Sequence, residues 1–260
     1  MSVFRESVRD RVLYSLVLFA VLLIGVSYLI GQLTAGQDIK IIKDFGLAAI
    51  SIIGLLIAVF IGVGLVWKEV ERRSIYSVLS KPVRRYEFVL GKYFGLALTL
   101  LVNIAVMTAS YYAVLAYMAT LFPPEVRSVW PAPAVDPALL AAVGLILMEL
   151  LLVTAVALFL STFASPLVAA MVTLGVWVIG SFNTDLRNFQ QVVDSPAAAL
   201  LARWIYYLLP NFSAFDVKTQ VVHGLAVPWS HVGITTLYGA VYIALLLAGA
   251  AVVFSKRDFN

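Results

Sequence analysis

Long apolar runs alternate with short polar segments along this chain of 260 residues. A helix that crosses a bilayer needs roughly 20 apolar residues, and six runs approach or exceed that length. They cover residues 12–30, 45–66, 93–121, 138–163, 167–182 and 232–254. The two-residue alternation of a membrane β-barrel is absent from them. The pattern therefore predicts an all-α integral membrane protein, with six transmembrane helices in a single domain that covers residues 1–260.

The polar segments between the runs predict connections of unequal length. Residues 31–44 are expected to form a polar loop, and residues 122–137 contain five prolines, which disfavour regular helix. The long connection 183–231 holds one further apolar stretch, 197–209, which stops at Pro210. This stretch is too short to span a bilayer, so we expect a re-entrant or interfacial helix before the sixth span.

Composition supports the membrane assignment, because 62% of the residues are hydrophobic, 12% are charged and the mean hydropathy is +0.99. Soluble domains average about 45–50% apolar and about 25% charged residues. Cysteine is absent, so the chain can form neither a disulfide nor a thiolate metal site. We interpret the net charge of +4 as an orientation signal in a lipid bilayer and not as a nucleic-acid-binding surface.

Basic residues are distributed unevenly between the two sides that six spans would define. With the N-terminus inside, three Lys and Arg lie in residues 1–11, seven in residues 67–92 and two after residue 254, twelve in all, against six on the outer side. Cytoplasmic loops of membrane proteins are enriched in Lys and Arg. We therefore expect a multi-pass protein of the inner (plasma) membrane with both termini in the cytoplasm.

The basic stretch 67–92, here called the coupling segment, is the charged part of the chain best patterned to dock a protein. Its apolar residues recur at helical spacing among charged ones, and Pro82 predicts that this helix ends near Ser80. Basic residues can instead hold such a helix on anionic lipid. The candidate docking residues are Glu69, Arg72, Arg73, Ile75, Tyr76, Leu79, Pro82 and Arg85.

Two polar residues inside predicted spans are candidates for a functional role. Glu149 is the only acidic or basic residue within the six runs, and Asn103 lies in the third. An unpaired carboxylate in hydrocarbon is costly, so Glu149 must face protein or water, or be protonated. We expect it to face another helix, with Asn103 or Thr108 as its partner, and Asn103 to bond between helices. A structural role and a role in gating or in a pathway through the membrane both remain open.

Catalytic and metal-binding patterns are missing from the sequence. The two histidines, His223 and His231, have no partner at metal-ligand spacing. No G-x-x-x-x-G-K-[ST] loop is present to hold ATP phosphates, and no G-x-S-x-G elbow is present. We expect no enzymatic activity and no cofactor in this chain, so any energy source must be external.

The coupling segment, together with the span pattern, resembles the membrane subunit of a type-2 ABC transporter, and most closely the small permeases of the copper-enzyme-maturation type. A second resemblance to that family is the run from Leu208 to Phe212 and on to Phe215-Asp216. The sequence departs from the family at Glu71–Ile75, where a Glu-Gly-Thr phrase is usual. The matching residues of the coupling segment are Glu69, Ser74-Ile75, Leu79-Ser80, Pro82-Val83, Arg85, Phe88 and Gly91-Lys92.

The resemblance implies partners and a mechanism. Two copies of an ABC ATPase, which bind ATP and Mg, would dock on the coupling segments of two copies of this chain, a homodimer in the lipid bilayer. The pair would move a substrate that the sequence does not identify, and the outer segments could contact a periplasmic protein. We expect the copies to meet through the second and fifth spans. The residues considered for that interface are Gly54, Ala58, Gly62, Thr173 and Trp177.

Two other functional classes compete with the transporter interpretation. One is a membrane anchor or mechanotransmitting scaffold, which couples an ATPase to a periplasmic partner without moving a solute. The other is an intramembrane enzyme, which the missing acid, base and metal residues disfavour. Substrate-stimulated ATPase activity would distinguish a transporter from a scaffold.

Overall fold

A computed structural model describes residues 11–32, 38–71, 85–128, 130–183, 200, 204 and 206–256. Every regular element in this part of the chain is helical, which confirms the all-α prediction. The helices are α1 (Arg11–Gln32), α2 (Asp38–Glu71), α3 (Arg85–Leu121), α4 (Pro124–Arg127), α5 (Ala138–Ser161), α6 (Pro166–Ser181), α7 (Lys218–Val222) and α8 (Trp229–Lys256), with a 3₁₀ turn at Ser213–Phe215.

Helix α5 is the centre of the bundle and packs against α2, α3, α6, α7 and α8. Its sequence explains this position, because apolar residues cover it on all sides and a helix of that kind is stable only when it is surrounded. Most of its residues from Leu139 to Leu158 are buried. The five partner helices therefore enclose the helix that carries the buried carboxylate of Glu149.

Small residues let α2 lie close to α5. A side chain added at Gly54 would overlap Leu150, and one added at Gly62 would meet Ala157 at 3.2 Å. Ala58 and Thr173 are also buried, at 2% and 1% exposure. Gly54, Ala58, Gly62 and Thr173 are therefore buried within one subunit and do not form a surface for a second copy, while a contact between copies through the second and fifth spans stays a prediction.

The polar stretch 31–44 is not all loop, because α2 begins at Asp38. Ile39 and Ile42 are buried, and the ammonium of Lys43 donates a hydrogen bond of 2.8 Å to the carbonyl of Pro133. The charged residues at the start of α2 therefore do not break the helix. Lys43, which points inward, is satisfied by the carbonyl of Pro133. The proline-rich connection also holds one short helix, α4, which starts with Pro124 at its first position.

Four helices in the described residues are long and apolar enough to cross a membrane: Ile39–Val63, Tyr86–Leu121, Ala138–Ser161 and Trp229–Phe254. Two shorter apolar helical segments, Leu16–Ser27 and Pro166–Ser181, belong to α1 and α6. The chain is therefore a multi-pass helical membrane protein, and the count of six spans stays a prediction. Helices α2 and α3 extend beyond their apolar parts to Glu71 and from Arg85.

We define the two ends of the bundle by these helix ends. The coupling end holds Glu71, Arg85 and Lys256, and the distal end holds Asp38 and Ala138. Residues 72–84 lie outside the described part of the chain. Most of the predicted helix 197–209 does as well, although residues 204 and 206–208 are helical.

Close packing between α2 and α3 yields the first prediction. A side chain at Gly46 would overlap the ring of Tyr111, which is fully buried and donates a hydrogen bond of 3.1 Å to the carbonyl of Lys43. Because that ring cannot withdraw, Gly46→Ala should lower stability by about 1–3 kcal/mol, although alanine normally favours a helix by about 1 kcal/mol over glycine. Thermal unfolding in detergent measures the effect.

The matched control is Gly144→Ala in α5, where an added side chain meets nothing within 4 Å. This variant should keep or raise the melting temperature. Equal melting temperatures for the two variants would contradict the packing of α2 against α3.

Candidate functional site

The carboxylate of Glu149 lies inside the bundle and is bonded to a neighbouring helix. Its Oε1 atom accepts a hydrogen bond of 2.7 Å from the indole Nε1 of Trp177 on α6, and the residue is 5% exposed. The hydrogen bond satisfies one lone pair of a group that could find no partner in lipid. The pair joins the central helix α5 to the short helix α6.

The partners that the sequence suggested for Glu149 were wrong. The amide of Asn103 donates a hydrogen bond of 2.6 Å to the carbonyl of Thr99, one turn earlier on its own helix. The hydroxyl of Thr108 is buried without a hydrogen-bond partner. Asn103 therefore makes a bond within α3, where a bond between helices was expected, and it does not contact Glu149.

The segment 210–222, here called the distal segment, packs against the central helix α5 through its 3₁₀ turn and α7. Its two phenylalanines are buried, Phe212 at 2% and Phe215 at 0% exposure. Asp216 and Lys218 follow them and form an ion pair of 3.6 Å, in which Asp216 is exposed and Lys218 is partly buried. The connection before α8 thus enters the bundle and does not simply cover its end.

Helix α6 holds one side of the distal segment. The amide of Phe212 donates a hydrogen bond of 3.0 Å to the carbonyl of Gly180. A side chain at Gly180 would come within 2.5 Å of both the Phe212 ring and the carbonyl of Pro210. Only glycine leaves room for this approach, so the end of α6 is shaped to receive the segment.

Helix α8 holds the other side. The amide of Asn211 donates a hydrogen bond of 2.8 Å to the hydroxyl of Tyr238, and Nε2 of His231 donates one of 3.1 Å to the carbonyl of Ala214. The ring of Phe215 lies against Gly239, where an added side chain would meet it at 3.1 Å. His231 therefore has a structural role at this site. The described residues contain no cluster of side chains that could hold a metal ion.

The docking residues from Arg72 to Pro82 lie outside the described part of the chain. Glu69 lies in the last turn of α2, and Arg85 is the first residue of α3. The adjoining turn of α3 is described: the ammonium of Lys92 lies 4.7 Å from the centre of the Phe88 ring, and this ring stacks on Phe254 of α8 at 5.6 Å. Phe88 and Lys92 both belong to the pattern recognised in the sequence.

Sequence reasoning missed Trp177 as the partner of Glu149. Tryptophan counts as apolar in a hydropathy profile, yet its indole N–H is a hydrogen-bond donor. The sequence did contain a signal for this pair. Helix α6 follows α5 in the chain and carries the indole donor of Trp177, and consecutive helices are usually neighbours in space.

A bundle of long apolar helices around one buried carboxylate, with a charged segment at one end and an inserted segment at the other, defines a multi-pass α-helical membrane protein. The model of the family described as ABC-2 family transporter protein matches residues 3–259. The chain therefore belongs to this family of ABC transporter membrane proteins, the permease class that works with an ABC ATPase. Curated proteins gave no significant match.

The bond between Glu149 and Trp177 predicts a particular pattern of stabilities. Trp177→Phe should lower the free energy of unfolding by about 1–3 kcal/mol, because it leaves a buried carboxylate without its donor. Glu149→Gln should cost less, because the amide oxygen still accepts the indole N–H. The double variant Glu149→Leu/Trp177→Phe should lose less than the sum of Glu149→Leu and Trp177→Phe.

Trp130→Phe is the control for lost ring volume, since Trp130 packs edge-on against Phe122 at 5.8 Å. Thermal unfolding of the purified protein compares all variants. Additive losses in the double variant would mean that the two side chains do not depend on each other.

Proposed function

We propose that this chain is the transmembrane subunit of an ABC transporter, which couples ATP hydrolysis by a separate ATPase subunit to movement of a substrate across the inner membrane. The observation that carries the proposal is the family match over residues 3–259. The chain has no phosphate-binding loop of its own. ATP and Mg would therefore be bound by the partner ATPase.

The coupling segment is the proposed docking site for the ATPase. Its residues Ile75, Tyr76 and Leu79 would supply apolar contact, at about 25 cal/mol per Å² of buried apolar surface. Arg72, Arg73 and other charged residues would pair with carboxylates of the partner. Helices α2 and α3 flank this segment and pass through the bundle, so both could receive its movement.

Two copies of the chain and two ATPase subunits form the proposed assembly. The second copy would cover apolar faces that are exposed in the single chain, such as Leu18 and Leu22 on α1 or Met171 on α6. The outer segments 122–137 and 183–231 are long enough to contact a periplasmic partner on the distal side. The substrate stays open in this proposal.

A mechanotransmitting scaffold is the second candidate function. The observation that favours it is the bonding of the distal segment to both α6 and α8, because a segment held in this way can report the position of those helices to a partner. Liposomes with the complete assembly discriminate between the two functions. ATPase activity that rises with a solute indicates transport, and activity that rises only with a periplasmic protein indicates a scaffold.

The proposed topology predicts which residues are accessible from outside the cell. The chain has no cysteine, so single cysteines can be placed without background. Cysteines at Ser195 and Leu225 should both react with a membrane-impermeant maleimide in intact cells. A cysteine at Ser80 should react only after permeabilisation. Labelling of Ser195 and Leu225 from opposite sides would mean that the helix 197–209 crosses the bilayer.

The docking proposal predicts that Leu79→Asp releases the ATPase. Loss of a buried leucine costs about 1.5–3 kcal/mol, so co-purification of the ATPase should fall about tenfold or more. The matched control is Leu225→Asp, the same change at an exposed leucine near the distal end, which should leave binding intact. Unchanged co-purification with Leu79→Asp would favour a helix that lies on lipid.

A further inference from the structure

Helix α8 is held by aromatic contacts near both ends and is little buried between them. Its 28 residues extend about 42 Å at 1.5 Å per residue, which is enough to connect the two ends of the bundle. Along its length, Ile234, Leu237 and Leu245 are 65–70% exposed. The helix therefore contacts the protein along one narrow stripe.

The coupling end of α8 is bound to the helix that leaves the coupling segment. Phe254 stacks on Phe88 with the rings 5.6 Å apart and inclined by 16°. Phe88 lies in the first turn of α3, and the buried ammonium of Lys92 lies 4.7 Å from the centre of its ring. Any displacement of the first turn of α3 moves a ring that is packed directly on α8.

The distal end of α8 is bound to the distal segment. The hydroxyl of Tyr238 accepts the hydrogen bond of Asn211, and the Tyr238 ring lies 6.3 Å from that of Phe215. His231 adds its bond to Ala214. These contacts fix the distal segment to about two turns of α8, so the segment must follow any tilt of that helix.

The middle of α8 contacts its neighbours through one buried stripe. Two residues of the stripe are the small Gly239 and Ala250, and beside it Gly249 lies against the Phe159 ring, where an added side chain would meet it at 3.3 Å. Packed helices commonly move past one another by small shear. The buried stripe comprises Thr235, Gly239, Ile243, Leu247 and Ala250.

We propose that α8 is the lever that transmits movement of the coupling segment to the distal segment, with the Phe88–Phe254 stack as its input and the Tyr238–Asn211 bond as its output. The proposal rests on the proposed function, because the ATPase supplies the movement. Phe254 and Tyr238 are positioning residues in this account, since neither needs to touch a substrate. The lever serves a transporter and a scaffold alike.

The test uses the complex of the full chain with its ATPase in lipid nanodiscs. A single cysteine at Gln220, an exposed position on α7, carries a fluorescent label, and its signal is compared before and after trapping with ATP and vanadate. Wild type should show a nucleotide-dependent change. Phe254→Ala should reduce the amplitude about threefold or more, and Phe254→Trp, which keeps a stacking ring, should restore it. Tyr238→Phe removes only one hydroxyl and should also reduce the amplitude.

Phe60→Ala is the matched control, because this exposed aromatic residue lies on α2 and takes part in neither of the two contacts that the proposal assigns to α8. It should leave the signal unchanged. ATPase binding and hydrolysis are measured in parallel. If the Phe254→Ala and Tyr238→Phe variants bind the ATPase and show the same nucleotide-dependent fluorescence change as wild type, the proposal that α8 transmits the movement is wrong, while the proposed function stands. If wild type binds no ATPase, both are overturned.

Discussion

Lipid offers no hydrogen bonds, so a charged group inside this bundle is stable only with a partner within the protein. The bond from Trp177 to Glu149 is the main consequence, because it fixes α6 against the central helix at the level of a carboxylate that lipid could not accommodate. The buried ammonium of Lys43, bonded to the carbonyl of Pro133, likewise fixes the proline-rich connection 122–137 to α2 at the distal end. The apolar packing around α5 depends on these few polar bonds being made.

The same constraint shapes how the two ends of the protein communicate. Movement cannot pass through exposed loops inside a bilayer, so it must travel along helices that keep their own backbone bonds. Helix α8 meets that requirement with aromatic residues near both ends, Phe254 towards α3 and Tyr238 towards the distal segment. The apolar faces that α8 leaves exposed are compatible with lipid, against which a helix can tilt.

Hydropathy predicts much of this fold, because the apolar runs are the helices: the bounds of α1, α5 and α6 fall within two residues of those predicted. Hydropathy missed the early start of α2 at Asp38. A lysine such as Lys43 indicates a polar loop, and the sequence does not show that the carbonyl of Pro133 accepts its hydrogen bond inside the bundle. Hydropathy also missed Trp177, whose donor is hidden in an apolar side chain. The sequence marked part of the distal segment by resemblance but did not predict how it is held, because its bonds, such as that from the Phe212 amide to the Gly180 carbonyl, join residues that are distant in the chain.

Native mass spectrometry of the assembly, released from nanodiscs after co-expression with ABC ATPase subunits from neighbouring genes, tests the central claim most directly. The claim is that this chain is a membrane subunit driven by a separate ATPase. The account predicts one dominant species with two copies of the 28.3 kDa chain and two ATPase subunits. A chain that leaves the membrane only as a single copy, or in pairs without any ATPase, would contradict it.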